Sequence, residues 1–528
     1  MKKHFIKSIS VCLAAILPFS AAACGKNEEH GDKEPINVSV YFGEFGYEWV
    51  SDLAKEWEKT NDGYYIDVEE TMNLGGTIVS DVMSGSKYDL FINEDCAMQR
   101  LYQGGYLEDL SDILNDKSGG KASIAERMMD KELWDKVAVY GDKYYMLPYS
   151  LGPVGLVYDH QRFVDNGWLE TENGVLTAGN DGVVGTYDDG QPTTMDGFKT
   201  MLSKIRATVG NNVFMYMGAR YSGYVNNIAY AYLAQLIGEE NYEIFYTHDS
   251  KGKTVTLFDG TQCAVSIEDG YKTWQIKGVD DAIGFIQNYL ANTTYVSNAT
   301  LTDTSFTPDS THTKFLIDDE EKRAAFMVEG NWWEYGAYNL FQELHASGAA
   351  AYGETDYRFM LLPELDGQIN DKKVVFSQTG GAIFAVKQKS REKAAAVKDF
   401  ISFILSEENL AKTTEELGMI WNYKVQLTTE ARNNMTVFSR NIYDMVYDEK
   451  NVKIHSPYIE MAATPIYNFS DLTTAALMYC ALDGETSIVK AYMTYGSAAG
   501  VLNAIKEYNN VARWNNYLSN AKSFGFYG

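Results

Sequence analysis

The side chains in this chain best suited to recognising another molecule are aromatic and amide in type. Trp332 and Trp333 follow Gly330-Asn331, and Trp421 stands between Gly418-Met419 and Asn422-Tyr423. Tyr149 follows Leu147-Pro148, while Tyr221 and Tyr224 lie in Ala219–Asn227 (ARYSGYVNN), a stretch without helical apolar period. Rings flanked by amides and carboxylates match a molecule with apolar C–H faces and hydroxyl edges, the surface that a sugar presents. Each ring has packing as its alternative role, because Trp and Tyr are commonly well buried. Of the adjacent Trp332 and Trp333, only one need face a ligand.

Glu44, Glu94 and Asp95 admit two uses. As a carboxylate pair they could cleave a glycosidic bond; as acceptors they could hold hydroxyl groups. The sequence has no Gly-x-Ser-x-Gly, no His-Glu-x-x-His, no phosphate-cradling glycine loop and no dinucleotide fingerprint, and its seven histidines are scattered. Ala178–Pro192 (AGNDGVVGTYDDGQP) gathers Asn180, Asp181, Asp188 and Asp189 among four glycines. Calcium takes oxygen donors from such loops, but the spacing is not that of an EF-hand and no glutamate closes it. A solvated acidic hairpin therefore stands first and a calcium site second.

Alternating elements must position these groups. Asn37–Phe42 alternates as a strand, and Trp49, Leu53 and Trp57 form one apolar stripe of a helix over Tyr47–Thr60. Tyr65–Val68, Ile78–Met83 and Tyr88–Asn93 then read as strand, helix and strand. This order predicts an α/β fold with a parallel sheet and helices on both faces. Ligands bind such sheets at the carboxyl ends of the strands. Here those ends place Glu44, Tyr47, Asn93, Glu94 and Asp95 along one edge.

The N-terminus bears on location. Lys2, Lys3 and Lys7 precede an apolar run from Ile9 to Pro18, and Ala21-Ala22-Ala23 leads into Cys24. This is the order of a secretory signal peptide, residues 1–23, and its apolar run is too short to span a bilayer. Residues 24–36 are a polar tether. Removing 1–23 takes away three lysines and no acid, moving the formal charge from −27 to −30. That sign argues against nucleic acid and suits a neutral or cationic ligand. Cys96, Cys263 and Cys480 remain after the signal region and allow one disulfide at most, with no zinc or redox pair.

Several segments, in order, resemble family 1 extracellular solute-binding proteins, the group that includes maltose-binding protein. They are YDLFIN with GGYLEDLSDIL (Gly104–Leu114), KYYMLPYS (Lys143–Ser150), GLVYDHQRF (Gly155–Phe163) and TTMDGFKTMLSKI (Thr193–Ile205), followed by KRAAFMVEGNWW (Lys322–Trp333) and TGGAIFAVKQKSREKAAAVKDFISFIL (Thr379–Leu405). Met195 stands where the family usually has Trp. Ala21-Ala22-Ala23-Cys24 resembles the bacterial lipoprotein box, with Ala21 in place of the usual Leu, which implies lipid attachment at Cys24. The family implies a two-lobed, type II periplasmic-binding-protein-like fold, each lobe a mostly parallel sheet flanked by helices, with the ligand cleft between them. The lobes fall at 37–148 plus 365–440 and at 149–364 plus 441–528, with crossings near Leu147-Pro148, Leu362-Pro363 and Tyr447–Pro457.

The function implied is capture, not catalysis. A monomer anchored by lipid to the extracellular face of the cell membrane binds a carbohydrate, without a required cofactor, and hands it to the permease subunits of an ABC importer. The family gives Glu44, Glu94 and Asp95 the hydroxyl-accepting role. The alternatives are a peptide or polyamine as ligand, or a surface polysaccharide-degrading enzyme.

Overall fold

The computed structural model describes residues 30–43, 45–117, 121–218, 223–317, 322–346, 351–469 and 488–527. Cys24, Glu44, Tyr221 and Cys480 lie outside them. Two mixed sheets carry the fold, and β5 and β12 form a separate antiparallel pair; the strands are β1 (Glu34–Tyr41), β2 (Tyr64–Thr71), β3 (Leu90–Asn93), β4 (Leu147–Pro148), β5 (Ser150–Leu151), β6 (Pro153–Asp159), β7 (Phe214–Met215), β8 (Phe326–Gly330), β9 (Tyr357–Met360), β10 (Lys373–Ser377), β11 (Ala382–Ala385), β12 (Ile420–Trp421) and β13 (Val452–His455).

The first sheet runs β2-β1-β3-β11-β4. Its first three strands are parallel, in the expected positions, and β11 runs against its neighbours. Helix α1 (Glu48–Glu58) buries Trp49, Leu53 and Trp57 as its spacing requires. Trp57 Nε1 donates to Asp399 Oδ2 at 2.8 Å, tying α1 to helix α2 (Arg391–Ile404), whose Phe400 ring meets the same indole edge to face. Ser390 caps α2 by accepting from the Lys393 amide.

The second sheet runs β7-β8-β6-β10-β13, with β9 also paired to β6. Strand β6 enters straight from the first sheet and so runs antiparallel to β8, β9 and β10. Strand β10 therefore belongs here, although residues after 364 were expected in the first lobe. The return to the first sheet falls at Gln378–Gly381, between β10 and β11, and not at Leu362-Pro363. The C-terminal segment also sits on the second lobe: Trp514 Nε1 donates to Ile267 O at 2.7 Å and its ring crosses Trp274.

Helix α3 (Gly223–Thr247) opens inside the stretch read as lacking helical period. Most of its residues are buried around its whole circumference, so no apolar stripe marks it. It kinks at Gly238, whose φ of 76° suits glycine. Among the described residues no helix is long and apolar enough to cross a membrane.

Candidate functional site

The crossing strands are stitched to one another by polar bonds. The Tyr149 amide donates to Gly381 O (2.8 Å) and the Gln378 amide to Gly152 O (2.8 Å). Ser377 Oγ accepts from the Gly152 amide (2.9 Å) and donates to Thr379 O (3.0 Å), which also accepts from Ser456 Oγ (2.9 Å). Ring positions near this junction are thereby fixed by backbone as well as by packing.

Tyr149 forms a three-ring cluster at the junction. Trp49 stacks on it with centroids 6.0 Å apart, and Trp421 meets both edge-on at 5.5 and 5.7 Å. Trp421 is wholly buried and donates from Nε1 to Thr413 Oγ1 at 2.8 Å, so it backs the cluster instead of offering a free face. Burial pushes the Tyr149 phenol up, and the nearby Glu94 charge adds to the shift. Trp49, read from its spacing as core, has no hydrogen-bond partner on Nε1. Its place in the cluster is a feature that helical periodicity alone could not show.

The paired tryptophans part company. Trp332 lies at the junction, where a Cβ on Gly330 or on Gly152 would come within 2.3 or 2.6 Å of its indole. Its ring meets Tyr224 at 6.0 Å and 61°. Trp333 is fully buried among Phe315, Tyr357 and Phe438, with centroids 5.9, 5.0 and 5.7 Å away. Trp333 is thus a core residue of the second lobe, and Trp332 is the ring at the junction. Gly152 has no distinguishing mark in the sequence, since only the fold brings it beneath an indole.

The expected first-lobe residues line up along the carboxyl edge of the sheet. Asn93 Nδ2 donates to Asn73 O (2.8 Å), and Asn93 Oδ1 accepts from the Asp95 amide (2.9 Å). Asp95 Oδ1 accepts from the Ala97 amide (2.8 Å); burial raises its carboxyl and that amide opposes the rise. Glu94 Oε1 lies 2.9 Å from where a Cβ on Gly43 would sit. Tyr47, half-buried, precedes α1, and Phe45 reaches Tyr335 of the second lobe with centroids 6.1 Å apart.

Two further amide hydrogen bonds lie close to the crossing. Asn227 Nδ2 donates to Gln378 Oε1 (2.9 Å) and Asn331 Nδ2 to Gly418 O (3.4 Å). Asn331 Oδ1 and both amide atoms of Asn226 are buried without a partner. An orphaned buried amide is costly and calls for an explanation. In the sequence these asparagines stand only as amides flanking the rings of Ala219–Asn227 and Gly330–Trp333.

The acidic loop is built differently from a convergent ligand set. Asp188 is buried and spends both oxygens on donors: Oδ2 accepts from the Asn180 and Asp181 amides (2.6 and 3.0 Å), Oδ1 from Thr186 Oγ1 (3.0 Å). Asp181 and Asp189 accept from the Val183 and Gly185 amides. Among the described residues no three His, Cys, Asp or Glu gather as metal ligands. Burial, with Asp181 beside it, pushes Asp188 up to about 6.

A cavity of about 790 Å³ lies elsewhere between the lobes. It is bounded by helix Lys131–Ala138, the second half of α3 and β13, and includes Leu151, Asn422, His455 and Glu460. None of the described rings and acids expected at the ligand site lines it. Cys96 and Cys263 are free thiols.

The profile of the bacterial extracellular solute-binding proteins matches residues 52–434. No curated protein matches the chain. Among solved structures, a chitin oligosaccharide binding protein superposes with a TM-score of 0.57 at 13% identity, covering 93% of this chain and all of that one. The cyclic α-maltosyl-1,6-maltose binding protein of Arthrobacter globiformis gives 0.54 at 14%, over 92% of this chain and 100% of its own. Maltose-bound MalE3 of T. maritima gives 0.54 at 14%, over 91% and 99%.

Proposed function

This chain belongs to the bacterial extracellular solute-binding proteins, and from that premise we propose that it captures an oligosaccharide between its lobes. The observation that carries the reading is the junction itself. Trp332 lies across two glycines beside Tyr224, next to the Tyr149 cluster, with Asn93–Asp95 tied to the same crossing by the Gly380 amide on Glu94 O and the unpaired Asn331 Oδ1 on the preceding residue. Aromatic faces supply stacking for C–H faces, and carboxylates and amides supply partners for hydroxyls. The structural neighbours named for sugars accord with this.

A ligand touching both lobes is bound best when they close on it, so it selects the closed state. That state is the one presented to the permease of an ABC importer. The reading requires no cofactor and no bond cleavage: Asp95 is held by the Ala97 amide and serves as an acceptor. Cys24, at the end of a signal-peptide pattern, is the lipid anchor that holds the protein on the extracellular face. Replacing Cys24 by Ser releases the protein into the medium with affinity unchanged; continued membrane association rules out the anchor.

The test of ligand class is thermal. A binder gains RT ln(1 + [L]/Kd) in stability. Oligosaccharides therefore raise the melting temperature while peptides and polyamines do not. A second reading has one observation in its favour, the cavity near His455, whose Asp130, Glu243, Lys136 and Lys453 suit a charged solute such as a peptide. A melting shift with peptides alone selects it.

A further inference from the structure

We propose that Phe42, Met72 and Leu74 form an outer subsite that receives the apolar face of a terminal sugar ring, in an oligosaccharide longer than a disaccharide. This rests on the carbohydrate reading above. Phe42 is 52% exposed, Met72 77% and Leu74 39%, all just past the carboxyl ends of β1 and β2. The two strands are parallel and in register up to Tyr41 and Thr71, and the Phe42 amide still donates to Thr71 O at 2.7 Å. Phe42 and Met72 are thus lateral neighbours with the same parity along their strands, which puts both side chains on one face about 5 Å apart. Within β1 that face is buried, at Val38 and Val40. The exposed apolar pair begins only where the sheet ends.

The patch is continuous with the candidate site. Asn73, between Met72 and Leu74, holds Asn93 through its carbonyl, and a Cβ on Gly75 would lie 2.8 Å from Asp95 Oδ2. The Gly380 amide donates to Glu94 O (3.3 Å), carrying the line onward to Tyr149 and Trp332. Phe45, three residues beyond Phe42, touches Tyr335 of the second lobe, so this edge faces the cleft. Carboxylates flank the patch: burial raises Glu70, and the charge of Glu48 adds to that rise. An apolar platform rimmed by acceptors fits a glycosyl unit, whereas an anionic ligand would meet repulsion there.

The experiment is calorimetry on the mature protein with malto-, xylo- and N-acetylchitooligosaccharides, each from disaccharide to hexasaccharide. Phe42→Ser and Met72→Ser are compared with wild type and with Met83→Ser, an exposed residue on helix Gly76–Met83. The expected result is a loss of roughly tenfold for the longest bound sugar in the first two variants, with disaccharide affinity unchanged and Met83→Ser silent. Equal affinity at every length, or an equal loss at every length, overturns the subsite and leaves the carbohydrate reading standing. Unaltered sugar affinity with reduced uptake in cells assigns the patch to permease docking and also overturns it. Binding by no sugar overturns the carbohydrate reading itself, and the subsite with it.

Discussion

The aromatic junction and the cavity near His455 are both interlobe regions, and they solve opposite problems. In the cavity the charges answer one another. His455 lies between Glu460 Oε1 (2.5 Å) and Glu239 Oε1 (3.2 Å), and Tyr242 donates to Glu460 Oε2 (3.1 Å). Lys253 pairs with Glu240, and Lys372 donates to Glu449 O. At the junction, by contrast, rings pack against one another beside the Glu94 charge, and Asn331 Oδ1 has no partner. A polar network that satisfies itself holds structure, while one left short of partners has capacity for a ligand. The charged cavity is therefore not by its volume alone the better site.

The sharpest way to break this comparison is to remove Glu460. Glu460→Ala leaves the buried His455 with Glu239 alone, and uncoupling one member of a buried charge pair costs about 3–5 kcal/mol. Stability should fall by that order in chemical denaturation, while sugar affinity of the folded fraction stays within about twofold. A folded variant that no longer binds sugar would move the ligand into the cavity.

Alkaline pH probes the same network without mutation. Burial alone would lower the His455 imidazole, but Glu460 and Glu239 outweigh it and raise it to about 9. A folded value above the unfolded one, near 6.5, means the contribution is fully present below about 6.5 and is lost as pH rises through 9. Glu239 works from the other side: burial pushes its carboxyl up, His455 overrides this and holds it at about 2, so its share is present above about 4.5 and lost as pH falls through 2. The melting temperature should decline between pH 6.5 and 9.5, and less so in His455→Gln. Sugar affinity should stay level over that range, because the junction relies on neutral rings and Tyr149 is pushed above its usual value. Affinity that falls in step with stability would tie binding to the cavity.

What could be read in the sequence follows from where each signal originates. The strands and helices of residues 34–93 alternate in ways that local periodicity records, and they lie where expected. The place of strand β10 is not legible, because Leu362-Pro363 has the look of a crossing while the partners of β10, β6 and β13, are distant in sequence. Helix α3 escaped because burial on all sides erases the apolar stripe. At the site, the residue types at Trp332, Tyr149 and Asn93–Asp95 were legible. Trp49, Gly152 and Asn226 were not, since their roles depend on neighbours that only the fold supplies.

Trp332 and Trp333 carry the comparison down to neighbouring residues. Trp332 is 8% exposed at the junction and Trp333 is 0% exposed in the core. Stacking on one ring is worth about 1–3 kcal/mol, so Trp332→Ala should weaken oligosaccharide binding by that amount. Some packing against Gly152 and Gly330 is lost as well, so the readout is calorimetric affinity, not melting temperature alone. Trp332→Phe should recover part of the loss, because a smaller ring keeps an aromatic face. Trp333→Phe is the counterpart: it trims a packed core side chain and lowers stability, with affinity unchanged once the protein is folded. If Trp333→Phe weakened binding and Trp332→Ala did not, the ring next to the cleft would be mere packing. The orphaned amides of Asn226 and Asn331 would then have to be explained by ordered water rather than by ligand hydroxyls.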